Sequence, residues 1–157
     1  MSRTTPGTLL LNRLGIGFML HPYDYDPGAA RIGLQAAATL GIDAARTFKT
    51  LMVEIDGRPA CIVVPSDTEA SMKKVAACFA GKSAAMLAVP DAERITGYRV
   101  GGIGPFGQKR QCPAAFDETI ALFERIYVNA GQRGLLLSLA PDDAVAAAGA
   151  VVADLTA

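Results

Sequence analysis

The chain has 157 residues, with 15 basic and 15 acidic side chains and therefore no formal net charge. Hydrophobic residues make up 51% and charged residues 19%, enough for one buried core and incompatible with intrinsic disorder. A dedicated nucleic-acid binder would be basic, so that signature is missing; no DNA partner is expected, and a nucleic acid would be held by a local patch or delivered by a partner protein.

In chain order, Thr4 or Thr5 before Pro6 predicts a helix start, with Gly15 able to end it. Residues 18–23 read as a strand and Asp26-Pro27-Gly28 as a turn. A second helix spans about 32–40 and stops at Gly41. Two apolar runs, 51–55 and 60–64, flank Asp56-Gly57 and predict a tight hairpin. Ser66 and Glu69 spell a capping box that opens a helix carrying Met72, Val75 and Phe79 on one face. Residues 84–89 read as a strand, Pro90 opens a short helix to Gly97, and a glycine-rich loop runs from Gly101 to Gly107. A short extended segment leads to Asp117, which can cap a helix over 118–123. Residues 125–128 and 134–139 form a second hairpin across 129–131, and Pro141 starts an Ala-rich terminal helix. Two direct hairpins among interspersed helices argue for one α+β domain over residues 1–157, with a mixed, largely antiparallel sheet flanked by helices.

The longest small and apolar run, 144–153, falls short of the roughly 20 residues a membrane span needs. Asn12 and Arg13 interrupt the first apolar stretch, so it does not read as a signal peptide, and a cytoplasmic location is expected. Cys61, Cys78 and Cys112 contain no CxxC pair and read as reduced thiols, while His21 is the only histidine. Neither a metal site nor a cofactor is expected.

Gly102-x-Gly104-x-x-Gly107 matches a dinucleotide spelling, but Pro105 sits inside it and no amphipathic helix follows. The loop is either an ordinary glycine turn or a source of backbone N–H groups for an oxyanion, a carbonyl oxygen or a phosphate. Lys49 opens an apolar strand, either as a solvated strand end or as an ammonium aimed into a cleft. Tyr23 and Tyr25 can wall a pocket or cap a core, and Asp117 has a plain role as a helix cap.

These residues resemble the YbaK/EbsC family of aminoacyl-tRNA deacylases, free-standing relatives of the editing domain of prolyl-tRNA synthetases. The matching pieces are Leu20-His21-Pro22-Tyr23, Phe48-Lys49-Thr50-Leu51, Thr96-Gly97-Tyr98, the run from Gly101 through Lys109, and Gly131-Gln132-Arg133-Gly134. The resemblance implies a mixed, strongly curved sheet and a pocket for the 3′ end of a charged tRNA. It implies Lys49 as the catalytic residue. It implies Tyr23, Ile32, Thr50, Gly101, Gly102, Ile103, Gly104, Pro105, Asp117 and Leu136 as substrate-binding residues. The reaction implied is trans-editing: hydrolytic removal of a wrong small amino acid, cysteine first and alanine second, from tRNA, with tRNA(Pro) the expected species. In the cysteine-specific branch the substrate's own thiol attacks its ester, and the protein positions and polarises that ester.

Three positions depart from the family pattern: Gly104 where Ser is frequent, Ile32 where the cysteine-specific branch has Phe, and Leu136 where it has Asp. A pocket made more apolar brings alanine in beside cysteine as the residue removed. Lys73, Lys74, Lys82, Lys109 and Arg110 are the expected phosphate contacts. Prolyl-tRNA synthetase is the expected partner. The competing expectation is a non-catalytic tRNA- or synthetase-binding module with an editing-like fold.

Overall fold

A computed structural model describes residues 3–28 and 32–157. Helix α1 (Pro6–Arg13) starts where its cap predicts. The Thr8 N–H donates to Thr5 Oγ1 at 3.1 Å, and the Thr5 N–H donates to Thr8 Oγ1 at 2.9 Å. The elements that follow are β1 (Met19–Pro22), α2 (Ile32–Leu40), β2 (Phe48–Ile55), β3 (Arg58–Pro65), α3 (Met72–Cys78), β4 (Ala84–Met86) and α4 (Val89–Thr96). After the glycine loop come β5 (Ala114–Asp117), β6 (Ile126–Gln132), β7 (Leu135–Leu139), α5 (Pro141–Ala148) and β8 (Val151–Ala153). Single turns of tight helix at Ala44–Arg46 and Glu118–Leu122 precede β2 and β6.

The strands form two sheets. One has the order β1-β7-β6, all antiparallel, and the other β4-β2-β3-β5-β8. In the second, β2 pairs antiparallel with β3 and β4, whereas β5 is parallel to β3 and to β8. The β2–β3 turn places Asp56 and Gly57 at φ 50° and 84°, the doubly left-handed geometry that an Asp-Gly hairpin favours. A bridge between Thr47 and Tyr127 joins the sheets, so the curved layer divides at that point. The α+β class and the mixed, largely antiparallel pairing both stand, with the strands divided between two sheets.

The main core fills the space between the sheets, with Phe48, Met52, Val63, Phe106, Phe116 and Ile126 buried in it. A second cluster under α3 holds Val53, Ile55, Ile62, Val64, Val75 and Leu155. Strands β2 and β3 are thus covered on both faces, which is why they read as apolar runs rather than alternating ones.

Four local expectations need correction. Helix α3 is capped by Ser71, whose Oγ accepts from the Lys74 N–H. Ser66 instead extends the β2–β3 ladder by donating its N–H to the Thr47 carbonyl. Strand β4 stops at Met86, because Val89-Pro90 begins α4. The second hairpin turns at Arg133-Gly134, and Gly131 lies in a bulge of β6 between Asn129 and Gln132. Strand β8, hidden in a small apolar run, was not anticipated.

Candidate active site

The site begins at an interruption in strand pairing. The Ser66 N–H bonds the Thr47 carbonyl, and the Leu87 N–H bonds the Met52 carbonyl from the opposite edge of β2. Backbone groups alternate along an antiparallel strand, so those of Thr50 point away from β3, as Met52's do. On that edge, among the described residues, β2 has a partner only at Thr47 and again from Met52 onward. A cavity of about 240 Å³ opens in this gap, lined by Tyr23, Thr47, Lys49, Thr50, Ile103 and Leu136 among others.

Two polar atoms in this lining are buried without a hydrogen-bond partner: Tyr23 Oη and Thr50 Oγ1. Tyr23 is 9% exposed, and its burial raises the phenol's affinity for its proton against a weaker, opposing influence of the Gly134 backbone, which lies outside hydrogen-bond geometry. The Tyr23 hydroxyl is therefore a neutral donor and acceptor at ordinary pH. Lys49 is half-buried, and its Nζ donates to the Thr68 carbonyl at 2.6 Å, which anchors the ammonium at the cavity edge. The rest of the wall is largely apolar, so a charge here acts in a low dielectric.

The glycine loop is laid against the β6 bulge. Asn129 organises the contact: its Nδ2 donates to the Gly101 carbonyl at 3.1 Å, and its Oδ1 accepts from the Gly131 and Gln132 N–H groups. Gly101 has φ +87°, and a Cβ there would come within 2.6 Å of Tyr25 Oη. A Cβ on Gly104 would collide with the Asn129 carbonyl. The left-handed φ accounts for Gly101, and close approach of the backbone accounts for Gly104.

Tyr23, Lys49, Thr50, Gly101, Ile103 and Leu136 therefore converge on one cavity. Gly102 and Gly104 lie behind it, against the backbones of Gln132–Arg133 and Asn129. Pro105 faces a separate groove beside α1 and α5. Asp117 stands apart and is 1% exposed: Thr119 donates to Oδ2, and the Leu155 N–H donates to Oδ1. Its carboxylate is spent on joining β5, the turn after it and the C-terminal segment. The side chain of Ile32 lies outside the described residues. Phe48 and Leu51 of the matching block also line the cavity, as do Thr47, Ala36, Val100 and Asn129, to which the sequence motifs assigned no role. Asn129 leaves only a faint trace, an Asn two residues before a glycine, and its bonding depends on the bulge.

Other nucleophile candidates lie elsewhere. Burial pushes the Cys61 thiol up to about 12, and burial also raises Cys112. His21 Nε2 lies 2.8 Å from Ser138 Oγ, but Ser138 is fully buried and Arg125 also donates to it. Burial first and Arg125 second lower the His21 pKa. Lys74, an expected phosphate contact, is bonded to Asp154 and to the Thr156 carbonyl.

The fold and cavity define an α+β protein whose small, largely apolar cavity holds two unpaired hydroxyls beside an anchored ammonium. The chain belongs to the aminoacyl-tRNA editing domain family, whose pattern matches residues 26–147. It is 36% identical over 121 residues to EbsC of Enterococcus faecalis, named as a candidate Cys-tRNA(Pro)/Cys-tRNA(Cys) deacylase, covering 76% of this chain and 74% of that one. It is 33% identical over 89 residues to the proline–tRNA ligase of Streptomyces coelicolor, a match to 54% of this chain and 15% of the ligase. The fold matches the crystal structure of a candidate trans-editing enzyme for prolyl-tRNA synthetase with a TM-score of 0.84 at 21% identity, covering 99% of both chains. Family membership makes this an editing hydrolase that acts on an aminoacyl ester. No helix among the described residues is long and apolar enough to cross a membrane.

Proposed function

We propose that this chain is a trans-editing deacylase that removes cysteine from mischarged tRNA(Pro). It would act as a single editing domain over residues 1–157, with prolyl-tRNA synthetase as the cytoplasmic partner that delivers the tRNA. Leu11 in α1 and Leu155 near the C-terminus are both fully buried, which supports one unit beyond the 26–147 match. The name of the E. faecalis relative supports cysteine and tRNA(Pro).

The observation that carries the reading is the pair of unpartnered hydroxyls, Tyr23 Oη and Thr50 Oγ1, in a cavity of about 240 Å³. A methyl group would leave both desolvated hydroxyls unpaired, at about 1–3 kcal/mol each. A small side chain ending in a thiol or hydroxyl offers them a partner. This favours cysteine over alanine despite the apolar Leu136. The open edge of Thr50 can hold the amino acid's main chain as a neighbouring strand would. Lys49 then faces the ester oxygen. Attack by the substrate thiol or by water turns the carbonyl into an oxyanion that the ammonium stabilises; its collapse breaks the bond to the ribose oxygen, which takes up the proton the nucleophile gives up, and leaves a cyclic cysteine thioester or free cysteine.

The test is a deacylation panel with wild type and Lys49→Ala on Cys-tRNA(Pro), Ala-tRNA(Pro), Pro-tRNA(Pro) and unrelated charged tRNAs. Wild type should release cysteine fastest. Lys49→Ala should lose about 10²–10³-fold in rate, the scale of one oxyanion donor, while its circular dichroism is unchanged. Release of alanine in preference to cysteine would overturn the substrate assignment. No release from any species would overturn the deacylase reading in favour of a binding module.

A further inference from the structure

The cavity can hold an aminoacyl side chain but not the nucleotide to which it is esterified. Tyr23 is shared between the cavity and a neighbouring groove of about 470 Å³. That groove is lined by Arg3, Asp24, Tyr25, Gln132 and Arg133, besides Tyr23. Arg133 also borders a second groove of about 410 Å³, where Arg99, Gly102 and Gly131 lie. Arg3, Arg99 and Arg133 are all exposed. In a chain with no net charge, three exposed arginines thus border two grooves that flank the glycine loop. The acidic groups nearby are Asp24 in the first groove and Glu93, whose carboxylate accepts from the Val100 N–H.

The Arg133 guanidinium lies 5.4 Å from the centre of the Tyr25 ring, and its Nε donates to the Val100 carbonyl at 2.9 Å. Tyr25 in turn packs on Gly101, the glycine whose carbonyl Asn129 holds. One ring and one planar cation are therefore fixed at the rim of the cavity. An aromatic face takes a base of any sequence, and guanidinium groups take phosphate oxygens.

We infer that the Tyr25–Arg133 pair, with Arg3 and Arg99, forms a binding site for the single-stranded 3′ nucleotides of the substrate RNA. Tyr25 and Arg133 stack the terminal base, and the arginines contact the flanking phosphates. The inference rests on the aminoacyl-tRNA reading for its orientation. It gives the Gly131-Gln132-Arg133-Gly134 segment a role: the bulge and turn aim Arg133 across the loop.

The test reads binding, so that it is separable from the hydrolytic assignment. A fluorescently labelled, uncharged, single-stranded RNA ending in 3′-CCA is titrated by anisotropy at several salt concentrations. Wild type, Arg133→Gln, Arg133→Lys, Arg99→Gln and Tyr25→Leu are compared, each checked for folding by thermal melting. Tyr25→Leu should weaken binding at least about fivefold with the salt slope kept, the signature of lost stacking. Arg133→Gln and Arg99→Gln should each reduce the log–log salt slope by about 0.7, and Arg133→Lys should restore it. Should Arg133→Gln fail to fold, Arg99→Gln carries the same readout. Equal affinity and slope in all variants, or no binding by wild type at low salt, would overturn the site. Deacylation lost with RNA binding intact would instead count against the hydrolase assignment alone.

Discussion

At the scale of single residues, Tyr23 and Thr50 separate stability from selectivity. Each buries a hydroxyl with no partner, which costs free energy in the unliganded protein. Tyr23→Phe and Thr50→Val should therefore leave the urea midpoint unchanged or raise it. The same substitutions should lower the kcat/KM ratio of cysteinyl over alanyl substrate about fivefold or more, because the group they serve is on the substrate. A fall in stability with no change in that ratio would sink the specificity role. Tyr23 and Lys49 were legible in the sequence as types and in their family positions. Their relation was not: no spacing reveals that the Tyr23 hydroxyl lacks a partner, since that depends on atoms from β2, β7 and the glycine loop together. Asp117 shows the converse. Its local role as a cap was readable, but the bond from the Leu155 N–H comes from 38 residues away.

At the scale of elements, the glycine loop and the β6 bulge are one device. Asn129 joins them with one hydrogen bond to the Gly101 carbonyl, braces the bulge with two from the Gly131 and Gln132 N–H groups, and Gly104 allows the two backbones to touch. Gly104→Ala should force them apart, costing about 1–3 kcal/mol in stability as an overpacked contact does. It should also lower kcat/KM by displacing Gly101 and Ile103 from the cavity wall. A urea titration and a deacylation assay on the same preparation check both effects, and an unperturbed protein would contradict the packing account. The sequence showed the loop as glycine-rich but could not distinguish a ligand cradle from close backbone packing. The shift of the second turn to Arg133-Gly134 has a similar cause. Bulges add a residue to one strand, so a short glycine-containing segment is consistent with more than one register.

For the whole molecule, buried titratable groups set the alkaline limit of stability. Burial pushes Tyr98 up to about 12 from 10.0; its hydroxyl donates to the Phe106 carbonyl at 2.6 Å. Burial pushes Cys61 from 9.0 to about 12. Both are neutral in the folded state at pH values where the unfolded chain has begun to release the protons. The stability they confer is full below about pH 9 and is lost as pH rises through 9–12. Urea midpoints at pH 8, 9, 10 and 11 should fall progressively, and a flat profile would contradict the burial assignment. The sequence by itself determined the local matters: a threonine cap before Pro6, the Asp56-Gly57 turn, the apolar strands around it, the α+β class and the family. These depend on neighbours a few residues apart, where side-chain type limits the backbone directly. Only the tertiary structure decided where β2 lacks a strand partner, that Asn129 pins the glycine loop, and that Asp117 serves the fold. Those outcomes depend on contacts between distant segments, whose free energy is realised only when both sheets have closed around the core.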